Sequence, residues 1–202
     1  SNDMVAGPSE ILIVADQTVN PKYAAADLLS QAEHDKMASA VLVTTSKELA
    51  EAVQKEIEIQ IQRLERAEIA RASIDGNGKI IVVDDIKTAI DIANEIAPEH
   101  LELCVDNPFD YLDEIRHAGS VFMGKSCPEA LGDYLAGANH TLPTSGTAKF
   151  SSPLSVDDFV KKTQYTYYTA DALKRVAYDV AYFAEQEGLT AHAKSAVIRL
   201  EE

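Results

Sequence analysis

The sequence predicts an α/β fold in which a doubly wound, mostly parallel sheet is followed by a C-terminal helical appendage. Two observations carry that reading. Through the first three quarters of the chain, short apolar runs bracket helical stretches, most of them ten or more residues long, the pattern of strands covered on both faces by crossover helices. Over residues 137–153 the composition then turns to Thr, Ser, Gly and Pro, and only helical pattern follows.

The elements come in a regular order. Residues 11–15 form a compact apolar run suited to a buried strand. Asn20 and Pro21 start a helix, an N-cap followed by proline at the first helical position. Residues 41–44 give the second strand, and Ser46 caps a helix running to about Arg63. A shorter helix over 67–73 is expected to stop before Gly76-Asn77-Gly78. Residues 80–83 make the third strand, 85–96 a helix, 101–105 the fourth strand and 121–123 the fifth. Asn107-Pro108 opens a helix over 109–117 between the last two. Helices over 156–165 and 171–187 and a short piece after Gly188 complete the chain. Residues 1–150 thus read as an incomplete Rossmann-like domain, and 151–202 as a helical tail. Tyr165, Tyr167, Tyr168, Tyr178 and Tyr182 crowd that tail at a spacing that suits packing or an interface, so the tail is expected to pack on a partner subunit.

Composition narrows the function. The 202 residues are 46% hydrophobic and 25% charged, enough to bury a core. Asp and Glu number 33 against 18 Lys and Arg, a formal charge of −15, which repels phosphate backbones and anionic membrane surfaces. Nucleic acid and membrane are therefore set aside as partners, whereas small cations suit the surface. Cys104 and Cys127 have no CxxC neighbour, so no disulfide framework is expected. No apolar run approaches the roughly 18–20 residues that span a bilayer, and no basic flank precedes an apolar segment at the N-terminus. The expected setting is cytoplasmic.

Several residues could carry chemistry. Gln31 and His34 lie three apart at the end of a helix and share a face if helical geometry persists. Glu99-His100 follows Pro98, where a helix must stop and a strand begins. A carboxylate beside an imidazole there fits an acid/base pair, and equally a helix-terminating acid beside a half-buried histidine. Asp133 and His140 flank a glycine-containing stretch, and His192 stands in the last helix. Gln31, His34, Asp133 and His192 offer the N and O donors that zinc takes, at a spacing that matches no structural zinc motif and leaves the metal open. His117, near Arg116 and Gly119, reads as a surface or helix-end charge. Residues 119–126 fit the Walker A expression, but their apolar centre Val121-Phe122-Met123 reads as the strand itself. The GxGxxG dinucleotide fingerprint is absent. Ligand chemistry is expected near the C-terminal ends of the strands.

Five blocks then stand in a telling order: Asp3-Met4-Val5-Ala6-Gly7-Pro8-Ser9-Glu10; Gln31-Ala32-Glu33-His34-Asp35; Ala97-Pro98-Glu99-His100-Leu101; Gly132-Asp133-Tyr134 with Asn139-His140-Thr141-Leu142-Pro143-Thr144; and Glu187-Gly188-Leu189-Thr190-Ala191-His192. Together they resemble the C-terminal half of the histidinol dehydrogenases, zinc- and NAD-dependent enzymes that oxidise L-histidinol through L-histidinal to L-histidine, the last step of histidine biosynthesis. The resemblance implies that Gln31, His34, Asp133 and His192 are zinc ligands, with His192 supplied across a homodimer. It implies that Glu99 and His100 are the acid/base pair, His100 taking the alcohol proton and Glu99 activating water. Ser9, His140 and Glu187 match positions that contact histidinol, as do His100 and the ligand residues. Family members carry a long N-terminal half with a second α/β domain and most NAD contacts. This sequence begins near the middle of the family pattern, so the NAD site is expected to be mostly missing and the chain alone weakly active or inactive. The competing readings are a non-catalytic ligand-binding or oligomerisation module of the same fold and, from residues 119–126, a phosphate-loop NTPase.

Overall fold

The computed structural model describes residues 6–201, so Asp3, Met4 and Val5 of the first sequence block lie outside the described residues. The chain runs β1 (Glu10–Ala15), α1 (Pro21–Ala32), β2 (Ser39–Thr44), α2 (Lys47–Ile61), α3 (Ala67–Asn77), β3 (Lys79–Val82), α4 (Ile86–Ile96), β4 (His100–Cys104), β5 (Ser120–Met123), α5 (Ala130–Tyr134), α6 (Ala170–Gln186) and α7 (Thr190–Val197). The strands form one all-parallel sheet in the order β3-β2-β1-β4-β5. That is the doubly wound α/β fold expected, with the Rossmann strand order through its first five strands.

Alternation along the strands divides the core. Ile11, Ile13, Ala40 and Leu42 pack with α1, α2 and α3 on one face. Leu12, Val14, Val41, Val43, Leu101 and Leu103 pack with Ala89 and Ala93 of α4 on the other. Each fully buried leucine or isoleucine contributes about 1.5–3 kcal/mol. The helix starts follow the capping expected: Asn20 accepts from Lys22 N–H, Ser46 from Leu49 N–H and Asp85 from Thr88 N–H.

Three elements differ from expectation. The helix begun at Ala67 continues through Gly76 to Asn77, because Gly78 N–H bonds back to Ile74 and the Asn77 amide donates to the Lys36 and Ala38 carbonyls. Residues 108–114 form a 3-10 turn instead of an α-helix, with Ile115 already extended and no side chain of the segment buried. Of the helix expected over 156–165 only the 3-10 turn Val156–Phe159 forms, since its residues are exposed and offer no apolar face to pack.

The chain divides into two compact units, Ser1–Phe159 and Val160–Glu202. The division falls beyond residue 150 because Leu154 N–H still bonds Thr141 and Ser151 N–H bonds Thr147. In the second unit, Ala181 and Ala184 of α6 pack on Ala193 of α7. Tyr165, Tyr167, Tyr168, Tyr178 and Tyr182 of that unit are exposed. Cys104 and Cys127 are free thiols. No helix among the described residues is long and apolar enough to cross a membrane.

Candidate active site

β1 and β4 lie side by side with Ile11 opposite His100, so residues that precede the two strands meet at the N-terminal edge of the sheet. Ala97 ends α4 in the left-handed region (φ 54°, ψ 61°) and Pro98 prevents further helix, turning the chain straight into β4. Beside them Gly119 comes so close that a Cβ there would stand 2.5 Å from the Glu99 carbonyl oxygen.

These candidate residues stand at the N-terminal edge of the sheet, away from the C-terminal strand ends where ligand chemistry is commonly found. Ser9, Glu10, Glu99 and His100 precede or begin their strands, and the loop after residue 137 folds back over this edge: Gly7 N–H donates to Thr144 Oγ1 (2.7 Å) and Ser145 N–H to Glu10 Oε1 (2.9 Å). At the C-terminal edge, Lys125 closes on Asp106 and Thr18. The stretch 119–126 is β5 and its exit, with no helix opening directly from it, so its lysine serves an ion pair instead of a phosphate loop.

Glu10 and Glu99 clasp each other. Glu10 N–H donates to Glu99 Oε2 (3.0 Å), and Glu99 N–H donates to Glu10 Oε2 (3.3 Å). His100 Nδ1 lies 2.9 Å from the Glu10 carbonyl oxygen and 3.5 Å from Glu99 Oε2. A carbonyl oxygen only accepts, so Nδ1 carries the hydrogen and Nε2 of the neutral ring is left to take a proton. Glu99 and His100 are buried, 8% and 4% exposed. Burial pushes the Glu99 carboxyl up, opposed by His100 beside it, and also raises Glu10, opposed by the Ser145 and Glu99 N–H groups. The arrangement holds an oriented imidazole beside carboxyls of raised proton affinity, which can accept and pass on protons.

A second grouping adjoins the first. His100, Glu129 and Asp133 each offer a ligand atom, all within 4.8 Å of one another. Among the described residues, two buried side-chain oxygens lack a hydrogen-bond partner: Gln31 Oε1, on the last turn of α1, and Glu129 Oε2. Each unpaired buried oxygen costs about 1–3 kcal/mol, a cost that a bound cation removes. An amide oxygen, carboxylates and imidazoles form a donor set that fits zinc.

The other expected residues are more dispersed. His34 lies exposed just beyond α1 and lines a cavity of about 400 Å³ with Ser9. A larger groove of about 520 Å³ runs past Lys47, Arg71 and Lys79 and is lined by none of the candidate residues. Asp133 is half-buried on α5, and His140 is exposed on the loop that follows. Glu187, the C-cap of α6, and His192, on α7, are exposed on the second unit. His117 is not a free surface charge: it is half-buried with Nδ1 3.1 Å from the Asn94 carbonyl.

Sequence reading missed Glu10, Glu129 and a buried carboxyl behind them, Glu102. The signal for Glu102 was present, an acid inside the apolar run Leu101-Glu102-Leu103-Cys104-Val105. Glu102 is fully buried on β4 and accepts Glu129 N–H at Oε1 (2.9 Å) and the Cys104 thiol at Oε2 (3.6 Å). Burial, then the charge of Asp27, pushes Glu102 up to about 8; burial, then Glu129, raises Asp27 to about 6. The Cys104 thiol is pushed above its ordinary range by burial and the nearby Glu102.

A family model described as histidinol dehydrogenase matches residues 1–200. The histidinol dehydrogenase of Caldanaerobacter subterraneus is 65% identical over 197 residues, covering 98% of this chain and 46% of that protein. That of Bacillus cereus is 58% identical over 200 residues, covering 99% of this chain and 47% of that protein. The crystal structure of histidinol dehydrogenase from Elizabethkingia anophelis superposes with a TM-score of 0.94 at 41% identity, over 98% of this chain and 46% of that one. The chain thus spans about half the length of the relatives it matches.

Proposed function

The chain belongs to the histidinol dehydrogenase family, and on that premise we propose that it carries the zinc and substrate residues for the NAD-linked oxidation of L-histidinol, through the aldehyde, to L-histidine. The observation that carries the reading is the Glu10–Glu99–His100 clasp, with ligand atoms of Glu129 and Asp133 within 4.8 Å of one on His100; the unpaired buried oxygens of Glu129 and Gln31 support it. Zinc held by Gln31, His34, Asp133 and the partner subunit's His192 would supply a template, fixing the amino and imidazole nitrogens of histidinol. Bound NAD would supply the hydride acceptor. β1 runs on into Asp16-Gln17-Thr18 without a glycine-rich turn, so the reading assigns most NAD contacts to residues outside this sequence and expects little or no turnover from these 202 alone.

The chain's own residues then divide the proton work. His100, with Nδ1 held by the Glu10 carbonyl, takes the alcohol proton on Nε2. Glu99, its proton affinity raised by burial, takes a proton from the water that adds to the aldehyde; a raised carboxyl is the stronger base. Ser9, His140 and Glu187 contact the substrate's polar ends. The exposed tyrosines of the tail supply the surface that a second copy would cover in a homodimer.

Calorimetric titration of the zinc-loaded chain with L-histidinol tests the reading. Binding is expected in the parent and lost in His34→Ala. Binding that survives unchanged in His34→Ala overturns it and leaves a non-catalytic module of the same fold.

A further inference from the structure

Beside the candidate metal residues, hydrogen bonds tie α1 and β4 to the turn that begins α5. Ser30, the residue before Gln31, donates its hydroxyl to Glu129 Oε1 at 2.5 Å. Asp27, one turn earlier on the same helix, lies near enough for its charge to bear on the Glu102 carboxyl. Glu102 in turn accepts the Glu129 N–H at 2.9 Å. Glu129 Oε2 stays unpartnered, with a Glu129 ligand atom within 4.8 Å of those of His100 and Asp133. Glu102 is fully buried and is not among the side chains that offer a ligand atom to the candidate cation site.

We propose that Glu102 is a positioning residue, a buried strut that with Ser30 fixes the Glu129–Asp133 turn relative to Gln31 and so sets the geometry of the cation site. The inference rests on the zinc reading above. An amide keeps the oxygen that accepts the Glu129 N–H, whereas an isosteric apolar side chain offers no acceptor. Glu102→Gln therefore rescues what Glu102→Leu loses, a pattern that simple core filling does not produce.

The experiment measures two properties of the full chain in the parent, Glu102→Gln and Glu102→Leu: zinc affinity by competition with a chromophoric chelator, and hydrogen exchange at the Glu129 amide without metal. Glu102→Leu is expected to bind zinc about 10–100-fold more weakly, the usual loss when support behind a metal ligand goes. Glu102→Gln is expected to stay within about threefold. The Glu129 amide should be protected in the parent and in Glu102→Gln and exchange at least about tenfold faster in Glu102→Leu. Equal zinc affinity in all three, equal exchange in all three, or a Gln variant as impaired as Leu overturns the proposal. A parent chain that takes up no zinc refutes the zinc reading, and the amide exchange still decides the strut. Should Glu102→Leu not fold, Ser30→Ala, a half-buried helical position, takes its place: zinc binding about three- to tenfold weaker supports the strut, and unchanged binding overturns it.

Discussion

Replacing Glu102 with Gln takes a titrating group out of the middle of β4 while keeping its shape. Burial lifts this carboxyl from 4.5 to about 8, so the folded chain holds a proton over a range in which the unfolded chain has released it. Between those values the folded state binds more protons than the unfolded one, and its stability falls as pH rises, by about 1.4 kcal/mol per pH unit. The contribution is complete below about pH 4.5 and gone above about pH 8. Over the whole window the loss reaches at most about 5 kcal/mol. Against a typical domain stability of roughly 5–15 kcal/mol this is a large effect. The chain has no tryptophan, so urea unfolding followed by far-ultraviolet circular dichroism at pH 5, 6.5 and 8, with chelator present, is the assay. The parent is expected to lose up to about 3.5 kcal/mol relative to Glu102→Gln between pH 5 and 8. Parallel profiles would refute the reasoning.

Three further outcomes follow from the same structure. Leu101→Ala empties a fully buried position on β4 and should cost about 2–5 kcal/mol in the same unfolding assay. Gly119→Ala forces a Cβ to 2.5 Å from the Glu99 carbonyl oxygen; the backbone must shift, at a cost of about 1–3 kcal/mol, and the His100 ring resonances should move in the NMR spectrum. Zinc affinity should weaken on acidification, because imidazole ligands bind only when neutral; a chelator titration in which affinity rises toward lower pH would contradict ligation by His34 and the partner subunit's His192.

The fold was legible because its signals are local. Five apolar runs with capped helices between them are enough to mark the strands of a doubly wound sheet, and the strand order follows from its topology. Local signals failed where tertiary contacts overrode them: Gly76 stays helical because Asn77 reaches the Lys36 and Ala38 carbonyls from across the fold. The site was legible only in part. Pro98 ahead of Glu99-His100 marks a strand start in any sequence, but nothing local says that Glu10, 89 residues away, clasps Glu99. The general rule for such sheets points to the C-terminal strand ends, whereas the candidate residues gather at the other edge, where residues 144 and 145 of the returning loop bond Gly7 and Glu10. Glu102 was visible as an acid in an apolar strand, but Glu129, which it bonds, and Ser30, which bonds Glu129, come from other elements and are joined only by the fold.

The most direct test of the central claim is zinc content per chain, by elemental analysis after dialysis against zinc and then buffer, with His34→Ala beside the parent. We expect about one zinc per chain in the parent and none in His34→Ala. A parent chain without zinc, or a His34→Ala chain that keeps it, would contradict it.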